Sequence, residues 1–379
     1  MIEIEERGLM ILSALINFIL YPDKPDLKRP PEKILLIKPD HIGDLILAIP
    51  AIKTLRSAFP SSRITALVGE WCLPLMELIP EIDEAIGYRP SLFARGRKSG
   101  LRERIRLFAR LWGGRFDMAV DLRPTPISLA LAASKRFRWR IDRSSHRLRM
   151  RLRGRGSIWD HEVKRNLEPL KDAGIPLPPY ISPSLIVPKR VRDDADGILD
   201  ELSVRGDMPI VVFHPGSPVK LKRWAPSNFA ELGDRLCEEL GARVLLIGSG
   251  SDLDISRQII SMMRHKPTDL TGRTDLPTLA GVLERCDLFI GNDSGPMHIA
   301  AALGVRTIGI FGPSSPERFG PYGERCLAIR SEIDCPPCMS ERCPLRPEGC
   351  VNEVRVEEVF RAAHDLLTRS YHVTSSDAG

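Results

Sequence analysis

The stretch "CDLFIGNDSGPMHIAAALGVRTIGIFGP", residues 286–313, packs a strand, a turn, a helix and a second strand into 28 residues. An apolar run ends at Gly291, and the polar turn Asn292-Asp293-Ser294-Gly295 follows. Pro296 then opens a helix, at the position where proline's fixed φ is preorganised and its missing N–H costs nothing. "VRTIGIFG" resumes as a strand rich in β-branched and apolar residues. Such a unit belongs to a parallel sheet covered by helices. The helix start presents free backbone N–H groups from Ser294, Gly295, Met297 and His298, which suit an anion such as a diphosphate. An ordinary Asx cap at Asp293 accounts for the turn equally well. His298, on the first turn, reads as a packed or capping side chain.

The same alternation extends along the chain. "KILLIK", "RITALV" and "DMAVDL" form a first set ending near Asp121, and "IVVFHPG", "RVLLIG", "DLFIGND" and "VRTIGIFG" form a second set from Ile210. Between them the proline-rich "AGIPLPPYISPSLIVPKR", residues 173–190, cannot be a helix interior and reads as a linker. The expected organisation is α/β: an apolar helix in 1–30, a Rossmann-like domain over 31–188 and a second over 189–379. Ligands of open α/β sheets bind outside the carboxyl ends of the strands, which places the expected site in a cleft between the halves. Near the C-terminus, Val354, Val356, Val359, Phe360, Ala363 and Leu366 or Leu367 recur at helical spacing and predict a closing helix.

Three further segments carry candidate chemistry. "VVFHPGSPVKLKRW" ends a strand in His214-Pro215-Gly216-Ser217, small enough for a ligand to approach the backbone, and Lys222 nearby can neutralise phosphate as a point charge. "LLIGSGSDLDISRQI" follows a strand with Gly248, Ser249 and Gly250, then Asp252 and Asp254. Either aspartate can accept from ribose hydroxyls or cap a helix. "KILLIKPDHIGDLILAIPAIKTLRSAFP", residues 33–60, has a single turn glycine, Gly43, followed directly by Asp44. A carboxylate there is a poor neighbour for phosphate. It is either an N-cap for a helix running through Leu55 or a group with a chemical task, with Pro50 in an early turn or at a kink.

Charge is distributed unevenly. The chain of 379 residues has a formal charge of +6, yet residues 89–155 hold 20 Lys and Arg against 4 Asp and Glu, an excess of +16. That region either faces an anionic partner or is unusually well solvated. Within residues 134–155 of the basic run, Phe137 and Trp139 are the only aromatic residues and no RNA-module motif accompanies them, which sets nucleic acid aside. "GLMILSALINFILY", residues 8–21, is shorter than the roughly 20 residues of a bilayer-spanning helix. The preceding "IEIEER" is acidic where a secretory signal is basic. The segment either packs on the protein or lies in a membrane interface, and the chain reads as cytoplasmic, with peripheral contact at the inner membrane in the second case. Cys72, Cys237, Cys286 and Cys326 lie in apolar contexts and read as reduced core residues. Cys335, Cys338, Cys343 and Cys350 cluster as C-x2-C-x4-C-x6-C. That spacing is tighter than two separate zinc knuckles, so reduced or paired thiols are preferred over a structural zinc.

"IGDLILAIPAIKTLRSAFP", "HPGS" with "KRW", "GSGSD" and "NDSGPMHIAAALGVRTIGIFG", in that order between about Lys33 and Leu367, resemble glycosyltransferase family 9, the heptosyltransferases of lipopolysaccharide core assembly. The resemblance implies a GT-B fold, two Rossmann-like domains facing across a cleft, with an ADP-sugar or similar nucleotide-diphospho-sugar held by the C-terminal one. It implies metal-independent, inverting transfer of a heptose or similar sugar to an anionic inner-core acceptor. Asp44 matches the family's general base, and Lys222 its diphosphate-contacting lysine. Asp293 matches the residue holding the donor sugar, with Ser294 and Gly295 as phosphate ligands. His214, Gly216, Ser217 and one of Asp252 and Asp254 complete the expected donor set; Lys38, Gly43, Arg123, Arg138, Arg140 and Arg147 form the expected acceptor set. "DHEVKRNLEPL" keeps the family's His161 and Glu162 without a role readable from the residues. A sugar-nucleotide epimerase of the same architecture would need no basic acceptor face, and a non-enzymatic polyanion-binding protein would leave "NDSGP" and "KRW" unexplained.

Overall fold

In a computed structural model of the chain, the described residues are 2–21, 24–26, 28–89, 100–134, 137–152, 160–179, 181–204 and 208–368. The chain divides into two compact units, Met1–Ile186 and Val187–Gly379.

In the first unit, α1 (Ile2–Leu20) precedes β1 (Lys33–Lys38), α2 (Ile42–Ile46), α3 (Ile49–Ala58), β2 (Arg63–Gly69) and β3 (Glu84–Tyr88). Then come α4 (Leu101–Gly113), β4 (Met118–Asp121), α5 (Pro126–Ala133), β5 (Trp139–Asp142), α6 (Arg143–Leu152) and α7 (Glu162–Asp172). The five strands are parallel in the order β3-β2-β1-β4-β5. Beyond Lys33, β1 is buried throughout, as expected of a parallel strand covered on both faces.

The second unit holds α8 (Lys189–Glu201), β6 (Ile210–His214), α9 (Pro226–Leu240), β7 (Arg243–Leu246), α10 (Leu253–Met262), β8 (Thr268–Asp269) and α11 (Leu276–Glu284). It continues through β9 (Leu288–Asn292), α12 (Gly295–Ala302), β10 (Arg306–Phe311), α13 (Pro316–Phe319), β11 (Cys326–Arg330) and α14 (Val356–Thr368). Its sheet order is β11-β10-β9-β6-β7-β8, again parallel. The opening stretch is the unit β9–α12–β10. The closing helix α14 buries Val356, Val359, Phe360, Ala363 and Leu366 in the core that also holds Trp224, Phe213 and Phe229. In both sheets the winding reverses once, between β1 and β4 and between β6 and β9. These reversals are where a doubly wound sheet opens a crevice at its carboxyl ends.

Four strands, β3, β5, β8 and β11, lie outside the sequence reading. β5 falls within the basic run, beyond the expected end of the first set at Asp121: "WRID" alternates apolar with charged residues over only four positions, and its charges, Arg140 and Asp142, are buried as a pair. The helix expected from Asp44 through Leu55 is two helices, α2 and α3, with Pro50 in the first turn of α3. His41, not Asp44, occupies the N-cap position of α2, so the capping role for Asp44 falls.

Helix α1 packs against α5, α6 and β5. Its contact face mixes the polar Ser13 and Asn17 with Ala14, Ile16 and Leu20. Arg140 Nη2 donates to Ser13 Oγ at 2.7 Å, Ser13 Oγ donates to Asp142 Oδ1 at 2.9 Å, and Tyr21 Oη donates to the Ala132 carbonyl at 2.8 Å.

Candidate active site

At the carboxyl end of β1 the chain turns through Lys38, Asp40 and Asp44. Lys38 Nζ lies 2.7 Å from Asp40 Oδ2, both side chains being almost wholly buried, and Arg123 Nε, just beyond β4, lies 3.3 Å from Asp40 Oδ1. The Asp40 backbone is pinned as well: its carbonyl accepts from Trp71 Nε1 at 3.0 Å. Burial disfavours the Asp40 carboxylate, but Lys38 and Arg123 outweigh it and hold the carboxyl below its usual range. Asp44 has the opposite balance. Burial first, and the neighbouring negative charge of Asp40 second, push its carboxyl up to about 6, with Glu162 adding to the rise. Glu162 opens α7 and is held by Arg143 Nη2 at 2.7 Å and Arg165 Nε at 3.3 Å. Arg143 also donates to Asn166 Oδ1 at 2.9 Å, and Asn166 Nδ2 donates to the Leu47 carbonyl at 3.1 Å, between α2 and α3. The end of α2, the helix carrying Asp44, is thus tied to α7 through the Asn166 side chain.

The expected acceptor residues separate. Lys38 and Arg123 adjoin Asp40, and Gly43 lies in α2 beside Asp44. Arg138 lies over the Trp139 ring, 5.0 Å from its centroid. Arg147 Nη1 is 3.3 Å from Met10 Sδ on α1. Arg140 requires correction. Its side chain is fully buried, 2.6 Å from Asp121 Oδ2 and 3.3 Å from Asp142 Oδ1, so it clamps β4, β5 and α1 together and presents nothing to an acceptor. Asp40 and Arg143 were missed as site residues. Asp40 stands in the "KPDHIGD" that identifies Asp44, whereas nothing local distinguishes Arg143 from the arginines around it.

The second unit gathers its residues at the ends of β6 and β9. Lys222 Nζ lies 2.6 Å from Asp293 Oδ2, and Ser314 Oγ donates to the same oxygen at 2.5 Å. Asp293 is buried, which disfavours its charge, but Lys222 and Ser314 together hold its carboxyl below the usual range. Asn292 fixes the surrounding loops: its Oδ1 accepts from Trp224 N at 3.0 Å and its Nδ2 donates to the Pro215 carbonyl at 2.7 Å. Ser294 is the N-cap residue of α12, and its hydroxyl is 2.9 Å from His214 Nδ1. Burial lowers the His214 pKa to about 4, which leaves the imidazole neutral at pH 7. Gly216 is required by space, since a Cβ there would sit 2.5 Å from Asp252 Oδ1. Asp252 Oδ2 accepts from Ser249 N at 2.8 Å, so this aspartate faces the "HPGS" turn as a cap. Ser217 Oγ accepts from Val219 N at 3.3 Å. Asp254 does not join the group: its exposed carboxylate pairs with Arg257 at 3.2 Å on the outer side of α10. Ser314 and Asn292 were missed, although both stand within or directly after the opening stretch.

All eight cysteines are free. Cys335, Cys338, Cys343 and Cys350 line one cavity of about 20 Å³ with Arg330 and Arg346, and among the described residues no group of three or more His, Cys, Asp or Glu is placed to hold a metal ion.

Comparison with known proteins agrees with this fold. The chain is 29% identical over 316 residues to lipopolysaccharide heptosyltransferase 2 of Escherichia coli K12, a match covering 79% of this chain and 88% of that protein. A solved glycosyltransferase family 9 structure from Veillonella parvula superposes with a TM-score of 0.75 at 25% identity, covering 89% of this chain and 98% of that one. The structure of E. coli ADP-heptose lipopolysaccharide heptosyltransferase II gives a TM-score of 0.67 at 25% identity, covering 88% and 98%. The family model for glycosyltransferase family 9 (heptosyltransferase) matches residues 104–348. This chain therefore belongs to glycosyltransferase family 9 and is a glycosyltransferase built from the two Rossmann-like units of the GT-B class.

Proposed function

We propose that the protein transfers a heptose, with inversion, from an ADP-activated donor bound by the second unit to an anionic lipopolysaccharide inner-core acceptor bound by the first. Asp44 is the general base in this reading. The observation that carries it is a carboxyl at the end of β1 with its pKa pushed up to about 6, close to the working pH where a base is most effective. The names of the relatives supply the sugar, the nucleotide and the acceptor class.

The roles follow from the chemistry. Asp44 takes the proton of the acceptor hydroxyl as its oxygen attacks the anomeric carbon, and the bond from that carbon to the diphosphate breaks with ADP leaving. Charge develops on the departing diphosphate. Lys222, already fixed by Asp293, has ammonium hydrogens to spare for it, and the α12 N-terminus adds backbone N–H groups at Ser294 and Gly295. Arg123 and the exposed Arg138 are left to meet the acceptor's negative groups.

Release of ADP from ADP-heptose, measured with and without a lipopolysaccharide inner-core acceptor, tests the proposal. Release that requires acceptor, with an acidic limb near pH 6 in kcat/KM that is absent from Asp44→Asn, is the expected result. Release independent of acceptor, or an unaltered pH profile in Asp44→Asn, would refute it.

A further inference from the structure

Helix α1 turns a mixed face inward and an apolar face outward. The face it turns to the protein carries Ser13, Asn17 and the small Ala14, all buried, with Ser13 and Asn17 meeting Arg140 and Asp142. The opposite face carries Ile11, Leu12, Leu15, Phe18 and Ile19, exposed by 57, 49, 48, 79 and 68%. These five fall within one third of the helical circumference. No charged residue occurs between Gly8 and Tyr21. A helix that serves only to cover a domain buries its large apolar side chains; this one turns Ser13 and Asn17 inward, with Ile16 and Leu20 half-buried beside them, and leaves five large apolar side chains exposed.

Helix α4 carries a second exposed apolar strip. Both α1 and α4 pack against α5, and Ile16 and Leu20 of α1 meet the same core cluster as Leu107 and Phe108 of α4. Leu101 and Ile105 are exposed by 72 and 59%, and Trp112 by 38%, on one face of α4. Arg104 borders that strip on one side, with Arg102 and Arg106 on the other, all exposed. An apolar strip edged by arginines is the pattern of a helix lying in a lipid headgroup region.

We propose that the exposed faces of α1 and α4 form one docking surface for an anionic lipid bilayer, holding the first unit flat against it. Insertion across the bilayer is not involved: no described helix is long and apolar enough to span, and the Ser13–Asn17 face stays clamped to Arg140. Charge favours lipid over a second copy of the chain. A two-fold contact through this surface would set the arginines of one α4 against their own counterparts, whereas anionic headgroups complement them. The inference does not depend on which sugar is transferred.

Flotation of the full chain with vesicles tests it. Phosphatidylglycerol–phosphatidylcholine vesicles should bind the protein at least about tenfold more tightly than phosphatidylcholine alone, with the difference shrinking at high salt. A double variant, Phe18→Asp with Ile19→Asp, alters only outward side chains and should keep the wild-type melting temperature while losing at least about tenfold in vesicle affinity. Wild-type protein that floats with neither vesicle overturns the proposal. So does a double variant that floats as well as wild type. A lipid-free dimer that the same variant converts to monomer assigns the face to a second copy and overturns it equally.

Discussion

The two sheets reverse their winding at equivalent places, β1/β4 and β6/β9, yet the carboxylates at those places have opposite electrostatics. At the end of β1, Asp44 has Asp40 and Glu162 as acidic neighbours, and its pKa rises to about 6. At the end of β9, Asp293 has Lys222 at 2.6 Å and Ser314 at 2.5 Å, and its pKa falls despite burial. Topology supplies a crevice in each unit. The next few residues decide whether that crevice accepts a proton or fixes a cation beside an anion. A carboxylate that must change protonation state during turnover needs like-charged neighbours; one that must never change needs a counter-ion.

That contrast predicts variants whose effects do not overlap. Asp44→Asn keeps the shape and removes the proton acceptor, so kcat should fall by about 10²–10⁴-fold while the Kd for ADP, read by calorimetry, stays within about twofold. Lys222→Ala should weaken ADP by about 10–100-fold, the range of a charged hydrogen bond, and lower turnover with it. Equal loss of ADP affinity in the two variants would break the division of labour between the units.

Arg140 sharpens the comparison within the first unit. Its ion pairs with Asp121 and Asp142 are wholly buried, so Arg140→Ala strands two carboxylates and should cost about 3–5 kcal/mol of stability, visible as a large fall in Tm. Arg138→Ala, at an exposed position, should leave Tm nearly unchanged. An Arg140→Ala protein that melts like wild type would mean that the basic run is one solvated face after all.

The sequence made the second unit more legible than the first, for a physical reason. Residues 286–313 carry strand, turn and helix signals in immediate succession, and Asp293 and Ser294 stand at their junction. Lys222 follows a comparably plain strand end. The first unit assembles its site from Asp40, Arg123, Arg143 and Glu162, separated by long intervals and joined only by tertiary ion pairs. Charge counting cannot sort that region. Arg138 and Arg140 are two residues apart, but strand alternation does not separate them: Arg138 precedes β5 and is exposed, while Arg140 lies inside β5 and meets two aspartates. The inward turn of Ser13 and Asn17 likewise could not be read from "LSALINF", because a hydrophobic pattern assigns these two residues to solvent.

The smallest expected effect concerns the support beneath the first site. His146 on α6 lies between two carboxylates of α7, with Nδ1 2.6 Å from Asp172 Oδ2 and Nε2 3.1 Å from Glu168 Oε2. Burial lowers its affinity for a proton, but the hydrogen bonds and charges of Glu168 and Asp172 prevail and raise its pKa. A histidine with a raised folded pKa contributes stability that is complete below its unfolded value of about 6.5 and is lost as pH climbs through the folded value. His146→Ala should therefore cost more at pH 6 than at pH 9. Both carboxylates are 39% exposed, so solvent screening keeps the contribution to about 1 kcal/mol or less. The second unit offers the control: His214 is neutral at both pH values, its pKa lying near 4, and the charge-linked part of its contribution should not differ between them. A deficit in His146→Ala that is equal at pH 6 and pH 9 would show that the imidazole acts by packing alone. The α6–α7 tie, and with it the mounting of Glu162 beside Asp44, would then be insensitive to protonation.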